Sequence, residues 1–237
     1  MTSGRGAARP HASRKGVRGR SLSRPRAASW DHEEGLEALG YGTVAGIDEV
    51  GRGCLAGPVI AAAVVLDVRQ RVPGLRDSKQ LTPTKREFLA GEIARRAVAC
   101  GLGVVEAEEI DRTDILRATL KAMGRAVEAL PVRPDFLLVD ALRIPGVSIP
   151  QRGIVRGDQI SASIAAASIV AKVYRDEMMR SLHPLYPVYD FNANKGYGTA
   201  AHLEALRRHG ASPLHRTTFR GVPPLPEVPG PPPPRSR

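Results

Sequence analysis

Apolar residues in this chain fall into short continuous runs and helix-spaced stripes that alternate from residue 43 to residue 209. Thr43–Glu49 and Pro58–Leu66 read as consecutive strands joined by the turn Gly51-Arg52-Gly53. In the loop Asp77-Ser78-Lys79-Gln80-Leu81, Thr82 is placed to cap a helix with Pro83 at its first position, running to about Val98. Gly101–Val105 is a third strand candidate. Thr113 or Asp114 caps a further helix, with Leu116, Leu120, Met123, Val127 and Leu130 predicted on one face. Phe136–Val139 is a short apolar strand ending directly in Asp140, and Gly153–Val155 leads into Arg156-Gly157-Asp158. From Ser161 a long alanine-rich helix follows, with Ile164, Ala167, Ala171 and Tyr174 on one face, and a last helix over Ala200–His209 stops at Gly210. A hairpin followed by strand–helix alternation predicts an α/β fold, a mixed sheet covered by helices with a small helical extension at the C-terminal end.

Composition divides the 237 residues into three parts. Residues 1–30 carry eight Lys/Arg and no acid, and residues 221–237 carry eight prolines. Both read as disordered, leaving a domain over 31–220. The arm takes +8 and the tail +1 of the net charge of +11, so the body is only about +2. A basic arm suits a polyanionic partner through counterion release, although a solvated extension explains it equally well. No uninterrupted apolar stretch of about 18 residues predicts a membrane span, and no apolar signal segment opens the chain. Cys54 and Cys100 lack metal-ligand spacing and are expected as reduced, buried thiols of a cytoplasmic protein. A monomer is expected.

Candidate chemistry lies where the apolar strands stop. Asp48, Glu49 and Asp140 stand at strand ends, and Asp158 lies in a turn before a buried helix. Acids at strand ends converge at one rim of a sheet, where α/β folds keep their ligand sites. Adjacent strand residues point to opposite faces, so Asp48 and Glu49 can share a site only if the chain bends there. Oxygen donors without His or Cys favour Mg²⁺ or Mn²⁺, and two such ions about 4 Å apart suit phosphodiester hydrolysis. The spacing alone leaves the bland alternative open: acids that cap helices or pair with arginine.

The string Gly46-Ile47-Asp48-Glu49-Val50-Gly51-Arg52-Gly53-Cys54-Leu55-Ala56-Gly57-Pro58-Val59 resembles the opening motif of bacterial ribonuclease HII. The resemblance continues through Asp77-Ser78-Lys79, Val139-Asp140, Arg156-Gly157-Asp158 and Ala165–Val173. It then takes in Arg175-Asp176, Asn194-Lys195-Gly196-Tyr197-Gly198-Thr199 and His215-Arg216-Thr217-Thr218-Phe219. It implies a ribonuclease H-like fold and a metal-dependent endonuclease acting on RNA/DNA hybrids and 5′ of single ribonucleotides in duplex DNA. By the same resemblance Asp48, Glu49, Asp140 and Asp158 hold the metals, with Asp48 shared between two ions. Gly51-Arg52-Gly53 contacts the ribose 2′-OH and its backbone, where a missing side chain permits close approach. Tyr197 packs on a deoxyribose, and Lys79, Lys172 and Lys195 are candidate phosphate contacts. Asp176 is expected in an ion pair on its helix, and no histidine is expected to bind metal.

Two other functions fit parts of this pattern. A resolvase- or integrase-type nuclease would share the acids but would cut all-DNA duplexes. An idle nucleic-acid binder relying on the arm would yield no product at any metal concentration.

Overall fold

The computed structural model describes residues 27–225, so most of the basic arm and of the proline tail lies outside the described residues. A five-stranded sheet in the order β3-β2-β1-β4-β5 organises the chain. Its strands are β1 (Val44–Val50), β2 (Val59–Leu66), β3 (Ala97–Val105), β4 (Phe136–Asp140) and β5 (Gln151–Ile154). β1, β2 and β3 run antiparallel, whereas β1, β4 and β5 run parallel. The hairpin thus forms half of a mixed sheet, and the crossovers bring β4 and β5 to its other side.

One face of the sheet packs on α4 (Ile115–Glu128), and the other on α5 (Ala162–Leu182) and α2 (Pro83–Arg96). Thr82 caps α2 and Asp114 caps α4 through their side chains, as Ser161 caps α5. The predicted stripe on α4 is displaced. Ala118, Ala122, Met123, Ala126 and Val127 are buried, while Leu116 is 45% exposed. Gly103 and Gly101 explain the rotation. A Cβ on either would stand 2.0 Å from Ala122 O or 2.2 Å from Ala126 O, so the helix lies directly on the β3 backbone and presents its small residues there. On α5 the residues from Ala162 to Ile169 are buried on every side between sheet and neighbouring segments, and Tyr174 is exposed.

Other boundaries differ from the sequence reading. β3 starts at Ala97 and takes over the end expected of α2. Cys100 is exposed on this edge strand, so only Cys54 is a core thiol. The body begins before residue 31: Ala28 and Trp30 are buried, and Ser29 bridges Ser161. Helix α1 (Asp31–Ala38) follows, and its buried Glu33 accepts hydrogen bonds from Ser161 Oγ, Ser163 N and Ser163 Oγ at the start of α5. Two short helices, α3 (Ala107–Arg112) and α6 (Phe191–Asn194), were not legible as periodic stripes. With α7 (Ala200–His209), α6 closes a separate small core around Met179, Tyr189, Phe191 and Leu206. Among the described residues no helix is long and apolar enough to cross a membrane.

Candidate active site

β1 and β4 are neighbouring parallel strands, registered Ile47 to Val139. One step further along, Asp48 and Asp140 leave the sheet side by side. Ile47 and Val139 face α4, so the two acids face α5, whose Ser168 hydroxyl favours the ionised form of Asp48. The expected bend between Asp48 and Glu49 is absent. β1 stays in register with β2 through Asp48–Ala62, Glu49–Ala61 and Val50–Ile60, and the chain turns only at Gly51. Asp48 and Glu49 nevertheless lie near enough for the charge of Glu49 to raise the Asp48 carboxyl.

Burial holds the Asp48 carboxyl well above the usual range, and the charges of Glu49 and Asp140 push the same way. Glu49 is also raised, by burial first, against the opposing pull of the Arg52 guanidinium 3.3 Å away. Asp140 is raised by burial although its Oδ1 accepts a 2.7 Å hydrogen bond from Gly157 N. Asp158 stands at about 6, through burial and then the charges of Asp77 and Asp140. The backbone is left-handed at Ala141, next to Asp140, and at Arg156, two residues before Asp158. Each such non-glycine residue costs about 1–2 kcal/mol, so surrounding contacts must hold these turns in place.

The donor set fits a divalent cation. All four acids offer hard oxygens, Asp140 is crowded by Asp48 and Glu49 on one side and Asp158 on the other, and buried Glu49 Oε2 has no hydrogen-bond partner. Among the described residues no three carboxylates, imidazoles or thiols form a ready-made ligand cage, so the acids are a crowd that a cation would neutralise.

Beside the acids lies a cavity of about 190 Å³, lined by Glu49, Gly51, Arg52, Gly53, Lys79 and Tyr197, with Ser168 and Lys172 from α5. These residues come from four separate parts of the sequence. Lys79 is close enough to Asp140 and Asp158 to favour their ionised forms. Lys172 is bonded to Asp176 at 2.7 Å and sits 5.5 Å above the Tyr197 ring. Asp176 also lies 3.6 Å from Arg86, the ion-pair role expected for it. Lys195 does not line the cavity. Its ammonium turns to Asn192 O, and its own carbonyl accepts from Arg175.

The two glycines of the turn differ. Gly51 has φ +94°, and a Cβ there would meet Arg175 Nε at 2.4 Å and Pro58 O at 2.8 Å. Its missing side chain serves internal packing. A Cβ at Gly53 would meet nothing within 4 Å, so only Gly53 leaves an open approach for a ligand.

Several participants escaped the sequence reading. Asp77 is buried, accepts from Lys79 N at 2.9 Å and repels Asp158. Its place in Asp77-Ser78-Lys79, a polar cap between apolar segments, was the available signal. Ser168 interrupts the alanine run of α5 and joins Ser78 at 3.0 Å. Arg175 and Arg216 are fully buried. Nothing in a linear pattern marks an arginine as buried.

The sequence model of the family described as "Ribonuclease HII" matches residues 45–222. A "Ribonuclease HII" of Desulfitobacterium hafniense is 57% identical over 190 residues, covering 80% of this chain and 73% of the relative. The crystal structure of the ribonuclease H2 from Pyrococcus horikoshii OT3 superposes with a TM-score of 0.65 at 27% identity, over 76% of this chain and 95% of that one. A Bst-RNase HIII solved in complex with Mn²⁺ has a TM-score of 0.60 at 20% identity, over 76% of this chain and 68% of that one, a likeness of fold. A family match over residues 45–222, joined to more than half identity along 190 residues, has one consequence: the chain belongs to the ribonuclease HII family and is a ribonuclease H hydrolase.

Proposed function

We propose that this chain hydrolyses the RNA strand of RNA/DNA hybrids and nicks duplex DNA 5′ of a single embedded ribonucleotide, leaving 3′-OH and 5′-phosphate ends. Asp48, Glu49, Asp140 and Asp158 would hold two divalent ions, Mn²⁺ or Mg²⁺. One observation carries this reading: Glu49, whose charge and that of Asp140 crowd Asp48, lines a cavity whose walls also carry an open glycine, two lysines and a tyrosine.

Bound ions would supply an activated water and neutralise the departing 3′ oxygen. The chain's own residues do the rest. Arg52 and Gly53 bring backbone groups to the cavity wall, where a ribose can come within hydrogen-bonding reach because no Cβ intervenes. Lys79 and Lys172 place positive charge where the phosphates must lie. Tyr197, 40% exposed, offers a ring face for a sugar beyond the ribonucleotide.

The test is nicking of three duplexes with Mn²⁺: an RNA/DNA hybrid, a duplex carrying one ribonucleotide, and plain DNA. Cleavage of the first two and none of the third is expected. Asp48→Asn should abolish cleavage while hybrid binding persists. Comparable cutting of plain DNA, or full activity in Asp48→Asn, would overturn the assignment.

A further inference from the structure

The segment His215-Arg216-Thr217-Thr218 has no part in the chemistry above, yet it is tied to the turn that faces the cavity. Arg216 is wholly buried, and among the described residues no carboxylate lies within ion-pair distance of it. Its guanidinium instead donates to backbone carbonyls: Nη1 to Arg52 O at 3.0 Å, Nε to Gly57 O at 3.0 Å and Nη2 to Gly57 O at 2.7 Å. The backbone runs alongside as well, with Arg216 N donating to Leu55 O at 2.9 Å and Gly57 N to Leu214 O at 2.8 Å. One side chain therefore grips both ends of the loop 52–57.

Burying a guanidinium against neutral carbonyls is costly, and apolar packing would fill the same space at less cost. What an apolar residue cannot do is orient a peptide. In a trans peptide the C=O and the next N–H point in opposite directions. Holding Arg52 O inward on Arg216 turns Gly53 N–H the opposite way; Gly53 lines the cavity, and a Cβ built on it would meet nothing within 4 Å. The planar five-donor fork suits this task better than a flexible ammonium.

The anchor is itself anchored. Asp111 on α3 accepts from Thr217 N at 2.7 Å, Thr217 Oγ1 at 2.8 Å, Thr218 N at 3.2 Å and Thr218 Oγ1 at 2.5 Å. Arg175, equally buried, braces the other side of the turn by donating to Pro58 O, Ala56 O and Lys195 O.

We infer that Arg216 is a positioning residue for ribose recognition: it sets the Arg52–Gly53 peptide so that Gly53 N–H is presented to the substrate, with Asp111 holding it from outside. This rests on the proposed role of the Gly51-Arg52-Gly53 turn. The test measures binding, in an Asp48→Asn background, to a duplex with one ribonucleotide and to the same duplex made wholly of DNA.

Arg216→Met should shrink the ribonucleotide preference about five-fold or more, the equivalent of one oriented hydrogen bond. Arg216→Lys should recover part of it, and Asp111→Ala should lower it at least about two-fold. Affinity for the all-DNA duplex should stay within about two-fold throughout. An unchanged preference in a folded Arg216 variant, or both affinities falling together, overturns the inference. If the Arg216 variants do not fold, Asp111→Ala decides, and a full preference there overturns it too. A lack of preference in Asp48→Asn itself would instead remove the ribose role of the turn.

Discussion

Gly51 and Gly53 stand two residues apart in one turn, and their replacement by alanine should fail in opposite ways. At Gly51 the φ of +94° costs an alanine about 1–2 kcal/mol. Its Cβ would also stand 2.4 Å from Arg175 Nε, displacing the hydrogen bond to Pro58 O. Losing that bond from a buried cation adds about 1.5–3 kcal/mol. Gly51→Ala should therefore lose about 2.5–5 kcal/mol of stability. At about 2–4 °C per kcal/mol for a domain of this size, the melting temperature falls by about 5–20 °C. Gly53 has no such conformation and no atom within 4 Å of its Cβ position, so Gly53→Ala should stay within about 0.5 kcal/mol of the parent. Its added methyl lies where substrate must come close, and kcat/KM on the single-ribonucleotide duplex should fall at least about ten-fold. Thermal unfolding and single-ribonucleotide nicking, run on both variants, check this. A Gly51→Ala protein as stable as the parent would refute the packing account. A Gly53→Ala protein with parental kcat/KM would refute the close approach.

Further outcomes follow from the charges. Mn²⁺ should raise the melting temperature of the parent, by the equivalent of about 2.7 kcal/mol at a hundred times its Kd, and leave Asp48→Asn nearly unmoved; calorimetry with and without a chelator reads the difference. Without metal, Asp48→Asn should be at least as stable as the parent, because it removes one of the repelling buried acids; a clear loss would contradict the crowded-acid picture. His215 stands at about 4, pushed down by burial and then by His202, whose Nε2 lies 3.0 Å from its own. The unfolded chain then binds more protons than the folded one between pH 4 and 6.5. Stability from this group is complete above about pH 6.5 and falls, by about 2–3 kcal/mol, as the pH drops towards 4. Urea midpoints at pH 7.5 and 5 should differ accordingly, and less so in His215→Gln. Deleting residues 1–26 should lessen the salt dependence of binding without moving the cut; an unchanged slope would make the arm a passive extension.

How far the linear pattern reached depends on the range of the forces involved. Thr82 and Ser161 cap their helices, and α7 ends at Gly210 as read, because capping and glycine stops are settled within a few residues. The face of α4 was misplaced because Gly101 and Gly103, on a strand paired elsewhere, set how near the helix could come. The missing bend at Asp48-Glu49 has the same origin: pairing with β2 holds the strand straight through both residues.

By itself the sequence determined the alternation of strands and helices, the acids at strand ends and the motif order that marks the family, all of which are local or carried by type and spacing. Only the tertiary structure decided that Asp48 and Asp140 leave adjacent parallel strands, that Asp77 joins their neighbourhood, and that Gly51 serves packing while Gly53 faces open space. It alone revealed that Arg175 and Arg216 are buried and spend their donors on backbone carbonyls. An arginine in a sequence carries the same charge wherever it lies. Whether that charge faces water or orients a peptide is settled by residues more than a hundred positions away.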